Sequence, residues 1–185
     1  CYDKTIKLLV LIGPPAVGKA TVGRIIAEKT NFKLFHNHMI MDGVIELFGV
    51  GTPAEDTLSK LIRSEVIKEA AEAGIDLIFT YAWNFGSEKG KNNITAFKDV
   101  YESRGGEVIF VELVAPLKTR LRRAETPERK RTKIHAPNAK RVAYLDSIFT
   151  YESPQPFYFH NYTQIDTTKR SAEDVADEII SIVGS

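Results

Sequence analysis

The sequence predicts a single α/β domain over residues 1–185, with a mostly parallel sheet covered by helices. Short apolar runs alternate along the chain with longer amphipathic segments, which is the rhythm of successive βα units. No internal repeat, low-complexity tract or linker divides the sequence. A chain of 185 residues is also long enough to bury one sizeable core.

Taken in order, five short apolar runs have the length and composition of buried strands. They comprise residues 8–12, 33–35, 77–81, 108–114 and, with a weaker pattern, 162–165. Helical periodicity and flanking caps mark residues 19–29, 53–73, 94–103, 117–124, 138–149 and 172–182. Ser171, with Asp174 three residues later, is typical of a helix N-cap. Gly74 and Gly105 stand where a helix ends in the left-handed conformation.

The composition argues against several classes of partner. The 25 basic residues nearly balance the 24 acidic ones, so the net charge of +1 does not favour nucleic acid or a membrane surface. The apolar run at residues 8–12 is far shorter than the roughly 18 residues of a membrane span, and no signal-peptide pattern precedes it. The one cysteine, Cys1, cannot form an intramolecular disulfide. We therefore expect a cytoplasmic protein with no membrane partner.

A phosphate-binding motif joins the first predicted strand to the first predicted helix. The letters GPPAVGKAT, from Gly13 to Thr21, fit the pattern GxxxxGK in the strand, loop and helix context that it requires. The glycines let the backbone turn its N–H groups inward, and the helix adds the positive end of its dipole. Lys19 then reaches the β and γ phosphates. The predicted ATP site comprises Gly13, Pro15, Ala16, Val17, Gly18, Lys19, Ala20 and Thr21. The alternative is a glycine-rich turn that binds something else.

One position in the loop departs from the usual pattern. Ala20 follows Lys19, where a serine or threonine would supply a hydroxyl to Mg²⁺. The loop thereby resembles that of the adenylate kinase branch of P-loop kinases, where a small residue also occupies this place. The resemblance implies that the nucleotide phosphates, water and an acidic residue elsewhere hold Mg²⁺. Thr21 and Asp42 are the candidates for a metal contact from this chain.

A basic segment follows the fourth predicted strand, and we expect it to form a lid over residues 118–137. Its basic residues are Lys118, Arg120, Arg122, Arg123, Arg129, Lys130, Arg131 and Lys133. The sequence VELVAPLKTRLRR resembles the strand, helix and start of the lid in adenylate and shikimate kinases. That resemblance implies that Arg120 and Arg123 contact phosphate oxygens, with Arg129 as a third candidate. The alternatives are a solvated basic helix or an RNA-binding patch, but no aromatic residues interleave for base stacking.

The acceptor side is predicted at the carboxyl ends of the second and third strands, where α/β sheets collect ligands. His36 and His38 follow the second strand, at the place of an Asp-x-Asp pair in shikimate kinases, so shikimate is not the expected acceptor. Asp42 follows four residues later, and the general base is expected among these three residues. Two histidines could also bind a metal, but no third ligand is evident nearby.

Two further residues are predicted on the acceptor side. Arg63 lies about as far beyond this loop as the arginine that holds the acceptor's carboxylate in shikimate kinases. This resemblance implies an acidic acceptor, and the alternative is that Arg63 is an exposed arginine on a helix. Trp83 follows the third strand and is expected either to form a wall of the acceptor pocket or to pack at its rim.

Together these motifs resemble the adenylate, shikimate and gluconate kinase group. The resemblance implies a three-layer P-loop fold with sheet order 2-3-1-4-5, helices on both faces and the adenine near the loop after Ile165. It implies an ATP-dependent phosphotransferase acting on the hydroxyl of a small metabolite or antibiotic-like molecule. The alternatives are a nucleoside monophosphate kinase and a nucleotide-binding or RNA-associated ATPase module. A GTPase is not expected, because no NKxD motif follows the fourth strand. The expected assembly is a monomer or a homodimer.

Overall fold

The computed structural model describes residues 5–127, 129 and 135–184. Lys130, Arg131 and Lys133 of the predicted lid lie outside the described residues. The strands are β1 (Lys7–Ile12), β2 (Lys33–His36), β3 (Leu77–Tyr81), β4 (Glu107–Val114) and β5 (Tyr162–Asp166). The helices are α1 (Lys19–Lys29), α2 (His38–Phe48), α3 (Pro53–Glu72), α4 (Glu88–Glu102), α5 (Leu117–Ala124), α6 (Ala139–Ile148) and α7 (Ala172–Val183).

The five strands form one parallel sheet in the order β2-β3-β1-β4-β5, which confirms the predicted order. β1 is central, and Leu8 pairs with Leu77 of β3 on one side and with Val108 of β4 on the other. Because all strands run in one direction, the loops after β1, β2 and β3 leave the same edge of the sheet. This edge carries the phosphate-binding loop and the two histidines.

Apolar cores lie on both faces of the sheet, because side chains alternate along each strand. Leu8, Val10 and Ile12 of β1 pack on the side of α3 and α4. Leu9 and Leu11 pack on the side of α1 and α7. Strands buried on both faces read as nearly continuous apolar runs, and this explains why the sequence LLVLI is recognisable as a strand.

Local capping chemistry sets several helix ends where the sequence predicts them. The Ser171 hydroxyl accepts a hydrogen bond from the backbone N–H of Asp174 at 3.1 Å, as the predicted cap requires. Gly74 and Gly105 have φ angles of 69° and 70°, and these left-handed conformations favour glycine at both positions.

Two helices differ from the sequence prediction. α2 occupies residues that the sequence assigns to the acceptor loop, and it begins at His38 directly after Asn37. Asn37 is a residue type that favours the N-cap position, but its side chain makes no capping hydrogen bond here. α4 begins at Glu88, six residues before the predicted start at 94, where Ser87 accepts a hydrogen bond from the N–H of Lys89.

Candidate active site

The phosphate-binding loop has the backbone conformation of an anion site. Gly13, Ala16 and Gly18 have φ angles of 140°, 64° and 114°. At Gly13 a Cβ atom would overlap the carbonyl oxygen of Leu113, so the close approach of the loop to β4 also requires glycine. No side chain caps the N-terminus of α1, and its first turn holds no acidic residue. The first N–H groups of this helix and its positive dipole end therefore suit a phosphate.

Lys19 lies back across this loop. Its Nζ donates hydrogen bonds to the carbonyl oxygens of Gly13, at 2.7 Å, and of Pro14, at 2.9 Å. These contacts hold the ammonium group at the concave side of the loop, as a phosphate-binding role requires.

Two cavities adjoin the loop, which we call the smaller and the larger cavity. The smaller cavity has a volume of about 230 Å³ and lies between α1, the segment after α5 and the residues after β5. Its walls include Arg123, Thr126, Thr167, Arg170 and Val175. The larger cavity has a volume of about 760 Å³ and lies between the loop, α2 and α6. The volume of the larger cavity lies in the range of small-molecule sites.

The lining of the two cavities overlaps at the phosphate-binding loop. The residues common to both are Ala16, Gly18, Ala20, Thr21 and Arg129. Burial lowers the pKa of Arg129, and its Nε has no hydrogen-bond partner among the described residues. A guanidinium group in this position borders both cavities at once.

Arg123 is part of the wall of the smaller cavity. Its Nη1 donates to the carbonyl oxygen of Val17 at 3.0 Å and to the hydroxyl of Thr167 at 2.9 Å, and its Nη2 donates to the carbonyl oxygen of Thr167 at 2.7 Å. Burial, and secondly Arg122, lower the pKa of this guanidinium group. The arginine joins the phosphate-binding loop to the residues after β5, so the face of its planar group is suited to stack on a base.

Arg120 has different partners from those that the resemblance implied. Its Nη2 donates to Asp146 Oδ1 at 2.6 Å and its Nε donates to the carbonyl oxygen of Ala115 at 3.0 Å. The side chain is buried and faces a third cavity, which Glu112 and Tyr151 also line, rather than the smaller or the larger cavity. The arginine therefore joins α5 to α6 in this structure, because its position on α5 points it at Asp146.

His36 and His38 both line the larger cavity. His36 ends β2, and His38 is the first residue of α2. His38 Nδ1 lies 2.9 Å from Asp42 Oδ1, and both side chains are about one-fifth exposed, at 20% and 22%. Asp42 is not among the residues that line the cavity, and its carboxylate contacts the Nδ1 side of the His38 ring.

The other two predicted acceptor residues lie outside this cavity. Trp83 is 1% exposed and packs among aromatic side chains, with Phe85 stacked at a ring distance of 4.7 Å and Phe157 edge-on at 5.9 Å. It is a packed aromatic residue and does not line the larger cavity, so the structure favours the second of its two expected roles. Arg63 is half-buried on α3 beside Tyr81 and Glu55, and burial lowers its pKa. It does not line the larger cavity either. Residues of α2, and none of α3, form that wall.

Several lining residues were not identified from the sequence. α2 contributes Met41 and Ile45, and α6 contributes Arg141 and Leu145. Tyr151 also lines the cavity, and burial raises its pKa to about 12, so its hydroxyl stays protonated at neutral pH. The residues of α6 lie more than 100 positions after the phosphate-binding loop, so no local motif could associate them with it.

The donor set for a metal ion is limited. Thr21 is exposed and lines both cavities, so its hydroxyl is placed to contact a nucleotide-bound cation or its water. Within residues 5–127, 129 and 135–184, no group of three or more His, Cys, Asp or Glu side chains is arranged to hold a metal ion. These residues fit Mg²⁺ that arrives with the nucleotide, and they do not fit a resident metal.

Comparisons with known proteins bear on this fold. No family model and no curated protein sequence matches the chain. A candidate kinase from Chloroflexus aurantiacus has a similar structure, with a TM-score of 0.70 and 14% identity over 96% of this chain and 98% of that one. The chain has the fold of P-loop kinases.

Two further solved structures share this P-loop kinase fold. A gluconokinase from Sinorhizobium meliloti has a TM-score of 0.63 and 12% identity over 97% of this chain and 91% of that one. A shikimate kinase from Acinetobacter baumannii, in complex with shikimate, has a TM-score of 0.58 and 21% identity over 97% of this chain and 93% of that one. In the described part of the chain, no helix is both long and apolar enough to span a membrane.

Proposed function

We propose that the chain is an ATP-dependent phosphotransferase that moves the γ-phosphoryl group of ATP onto a hydroxyl group of a small molecule. The observation that carries this proposal is the wall shared by the smaller and the larger cavity. Ala16, Gly18, Ala20, Thr21 and Arg129 line both. Two ligands seated in these cavities would meet at the phosphate-binding loop, and phosphoryl transfer depends mainly on such positioning and on charge stabilisation.

The smaller cavity would hold the base and ribose of ATP. Its position beside Thr167 agrees with the expectation that adenine lies near the loop after β5. The Arg123 guanidinium would stack on the base, and the phosphates would run along the N–H groups of residues 13–19. Lys19 Nζ would exchange its carbonyl partners for oxygens of the β and γ phosphates.

The larger cavity would hold the acceptor, with its hydroxyl beside His38. The acceptor oxygen forms a bond to the γ phosphorus while the bond from that phosphorus to the bridging oxygen breaks, and the bridging electron pair leaves with ADP. His38 takes the hydroxyl proton at Nε2, since a neutral imidazole that donates from Nδ1 to Asp42 carries its basic lone pair there. Asp42 is thus a positioning residue.

Charge on the transferred group would be stabilised by Lys19 and Arg129. Mg²⁺ that arrives with the nucleotide would supply further charge neutralisation. Thr21 is the residue of this chain that would contact the hydrated ion. Arg120 is left out of this mechanism because of its pairing with Asp146.

The three structural neighbours support the reaction class. Each is named as a kinase or candidate kinase, and gluconokinase and shikimate kinase are named for small hydroxylated acids. Their identity to this chain is low, and His36 and His38 occupy the acceptor side here. The reaction class therefore transfers to this chain more readily than either acceptor does.

ADP release from ATP and Mg²⁺, measured with a panel of small alcohols, tests the proposal. We expect release that depends on an acceptor and is lost in Lys19→Ala. Lys29→Ala is the matched control, because Lys29 lies at the other end of α1 and pairs with Asp177 on the surface. Release that depends only on a nucleoside monophosphate would instead support a nucleoside monophosphate kinase. Release stimulated by RNA, with no dependence on small acceptors, would contradict the proposal.

A further inference from the structure

We infer that the acceptor is an amphipathic alcohol without positive charge, whose hydroxyl meets His38 while its apolar body packs between α2 and α6. This inference rests on the proposed function and assigns the substrate class of the same site. It follows from the size of the larger cavity, from its two apolar walls and from the charges of its lining.

The larger cavity exceeds what the reacting groups require. Its volume of about 760 Å³ lies in the range that surrounds a drug-sized ligand. The reacting groups occupy the part formed by Lys19, His36 and His38, at the carboxyl ends of β1 and β2. The rest of the cavity extends past this part between α2 and α6, so it accommodates an acceptor body beyond the hydroxyl.

Apolar side chains line both sides of that extension, beside the polar Asn138 and Arg141. Met41 and Ile45 lie one turn apart on α2 and line the cavity, and Leu145 lines it from α6. Val50 and Phe149, just beyond these helices, also line it and are 63% and 39% exposed. An apolar ligand that covers these water-exposed side chains stabilises the complex, because apolar surface is removed from water. A polyhydroxylated acceptor would leave this gain unused and would place hydroxyls against Met41, Ile45 and Leu145, which cannot hydrogen-bond them.

The charges of the cavity limit the acceptor further. Lys19, Arg129 and Arg141 line it, and no Asp or Glu is among its described lining residues. A positively charged acceptor would therefore meet like charge without a carboxylate partner. Arg63, expected from the sequence to hold a carboxylate of the acceptor, lies outside the cavity. The charges therefore exclude a cationic acceptor, and the apolar walls, not these charges, support an apolar body.

Three diols with the same reacting end test this inference: 3-phenylpropane-1,2-diol, glycerol and 3-aminopropane-1,2-diol. We expect kcat/KM of ADP release to be at least about tenfold higher for the phenyl diol than for glycerol, because the ring buries apolar surface. The amino diol should be the poorest acceptor. Equal or higher values for glycerol or the amino diol would overturn the inference, while the proposed function would stand.

Binding of the phenyl diol, measured by calorimetry with a non-hydrolysable ATP analogue, separates the two proposals. Saturable binding tighter than that of glycerol supports the apolar site, even if no ADP is released. Tight binding without ADP release would contradict the proposed function and leave the inference standing. Binding of the phenyl diol no tighter than that of glycerol overturns the inference, whatever the turnover.

Two variants that nearly preserve shape locate the effect. Met41→Gln and Leu145→Asn replace apolar walls of the larger cavity on opposite helices, and each should reduce kcat/KM for the phenyl diol about tenfold relative to glycerol. Leu47→Asn is the control, because Leu47 lies on α2, is 79% exposed and does not line the cavity. The assignment of the walls would be contradicted if both wall variants lost kcat/KM equally for the phenyl diol and for glycerol. It would also be contradicted if Leu47→Asn reduced kcat/KM for the phenyl diol as much as the wall variants do.

Discussion

The Nδ1 atom of His38 lies 2.9 Å from Asp42 Oδ1, one turn further along α2. The two side chains meet because residues four apart lie on the same face of a helix. The carboxylate fixes the orientation of the ring and favours the tautomer with its proton on Nδ1. His38 borders the larger cavity while Asp42 lies behind it, so the pair has the arrangement of a base and the residue that positions it.

Asp42→Asn should reduce kcat by about tenfold or more with a small change in KM, because the amide orients the ring less well and stabilises its protonated form less. For the same reason, the acid limb of the kcat profile should move to lower pH. The pH profile of acceptor-dependent ADP release measures both effects. Asp99→Asn, an exposed residue on α4, is the control. A variant with unchanged kcat and an unshifted acid limb would show that the pair is structural.

The sheet and the phosphate-binding loop could be predicted because their signals are local. The apolar run of β1 and the glycines of the loop can be recognised from a few consecutive residues. α2 was harder to recognise, because apolar residues such as Leu47 lie on its exposed surface and obscure the helical pattern. The helix begins at His38, only two residues after β2 ends at His36.

The acceptor side was predicted less well, because its walls come from distant parts of the chain. Trp83 follows β3 at the ligand edge of the sheet, but the aromatic side chains of residues 157–159 bury it in the core. Leu145 and Tyr151 line the cavity only because α5 and α6 pack beside the loop. Such neighbours depend on tertiary packing, and a local pattern does not record them.

Gly13→Ala should destabilise the fold by about 2–4 kcal/mol, for two reasons. The new methyl group would overlap the carbonyl oxygen of Leu113, and alanine is strained at the φ angle of 140° that this position adopts. It should also weaken nucleotide binding, because the loop must open to admit the methyl group. Gly43→Ala is the matched control: Gly43 lies within α2 and a Cβ there would meet nothing within 4 Å. That change should stabilise the protein by about 0.5–1 kcal/mol. Urea unfolding measures both changes, and equal stabilities of the two variants would contradict the close approach at Gly13.

The N-terminus of α7 should lose stability in acid. Hydrogen bonds that the Ser171 hydroxyl and, secondly, the Ser171 backbone N–H donate to the carboxylate lower the pKa of Asp174 below its usual range. A carboxyl group whose pKa is lower in the folded state adds stability above its unfolded pKa, and this contribution is lost as the pH falls through the folded pKa. Ser171→Ala should therefore lower the urea midpoint more at pH 6 than at pH 3. Ser103→Ala, which affects a hydroxyl bonded only to the carbonyl oxygen of Val100 among the described contacts, should show no such difference.

Arg120 was expected to contact phosphate oxygens, but the structure pairs it with Asp146, and substitution can distinguish these two roles. Its guanidinium group pairs with Asp146 and does not line the smaller or the larger cavity. Arg120→Met should cost about 3 kcal/mol of unfolding free energy, because Asp146 loses its partner. Asp146 is 24% exposed, so water offsets part of the loss and larger values are not expected.

The double variant Arg120→Met with Asp146→Leu should recover much of that stability, since it removes both charges together. Urea unfolding of the two single variants and the double variant gives the coupling free energy, and we expect at least about 1 kcal/mol. KM for ATP should change less than about twofold in all three, because the ion pair lies outside the nucleotide site. A large rise in KM for ATP in Arg120→Met, with no coupling to Asp146, would instead place Arg120 on a phosphate. The ion pair would then have to open when ATP binds, and the lid arginines would act as their resemblance to adenylate and shikimate kinases implied.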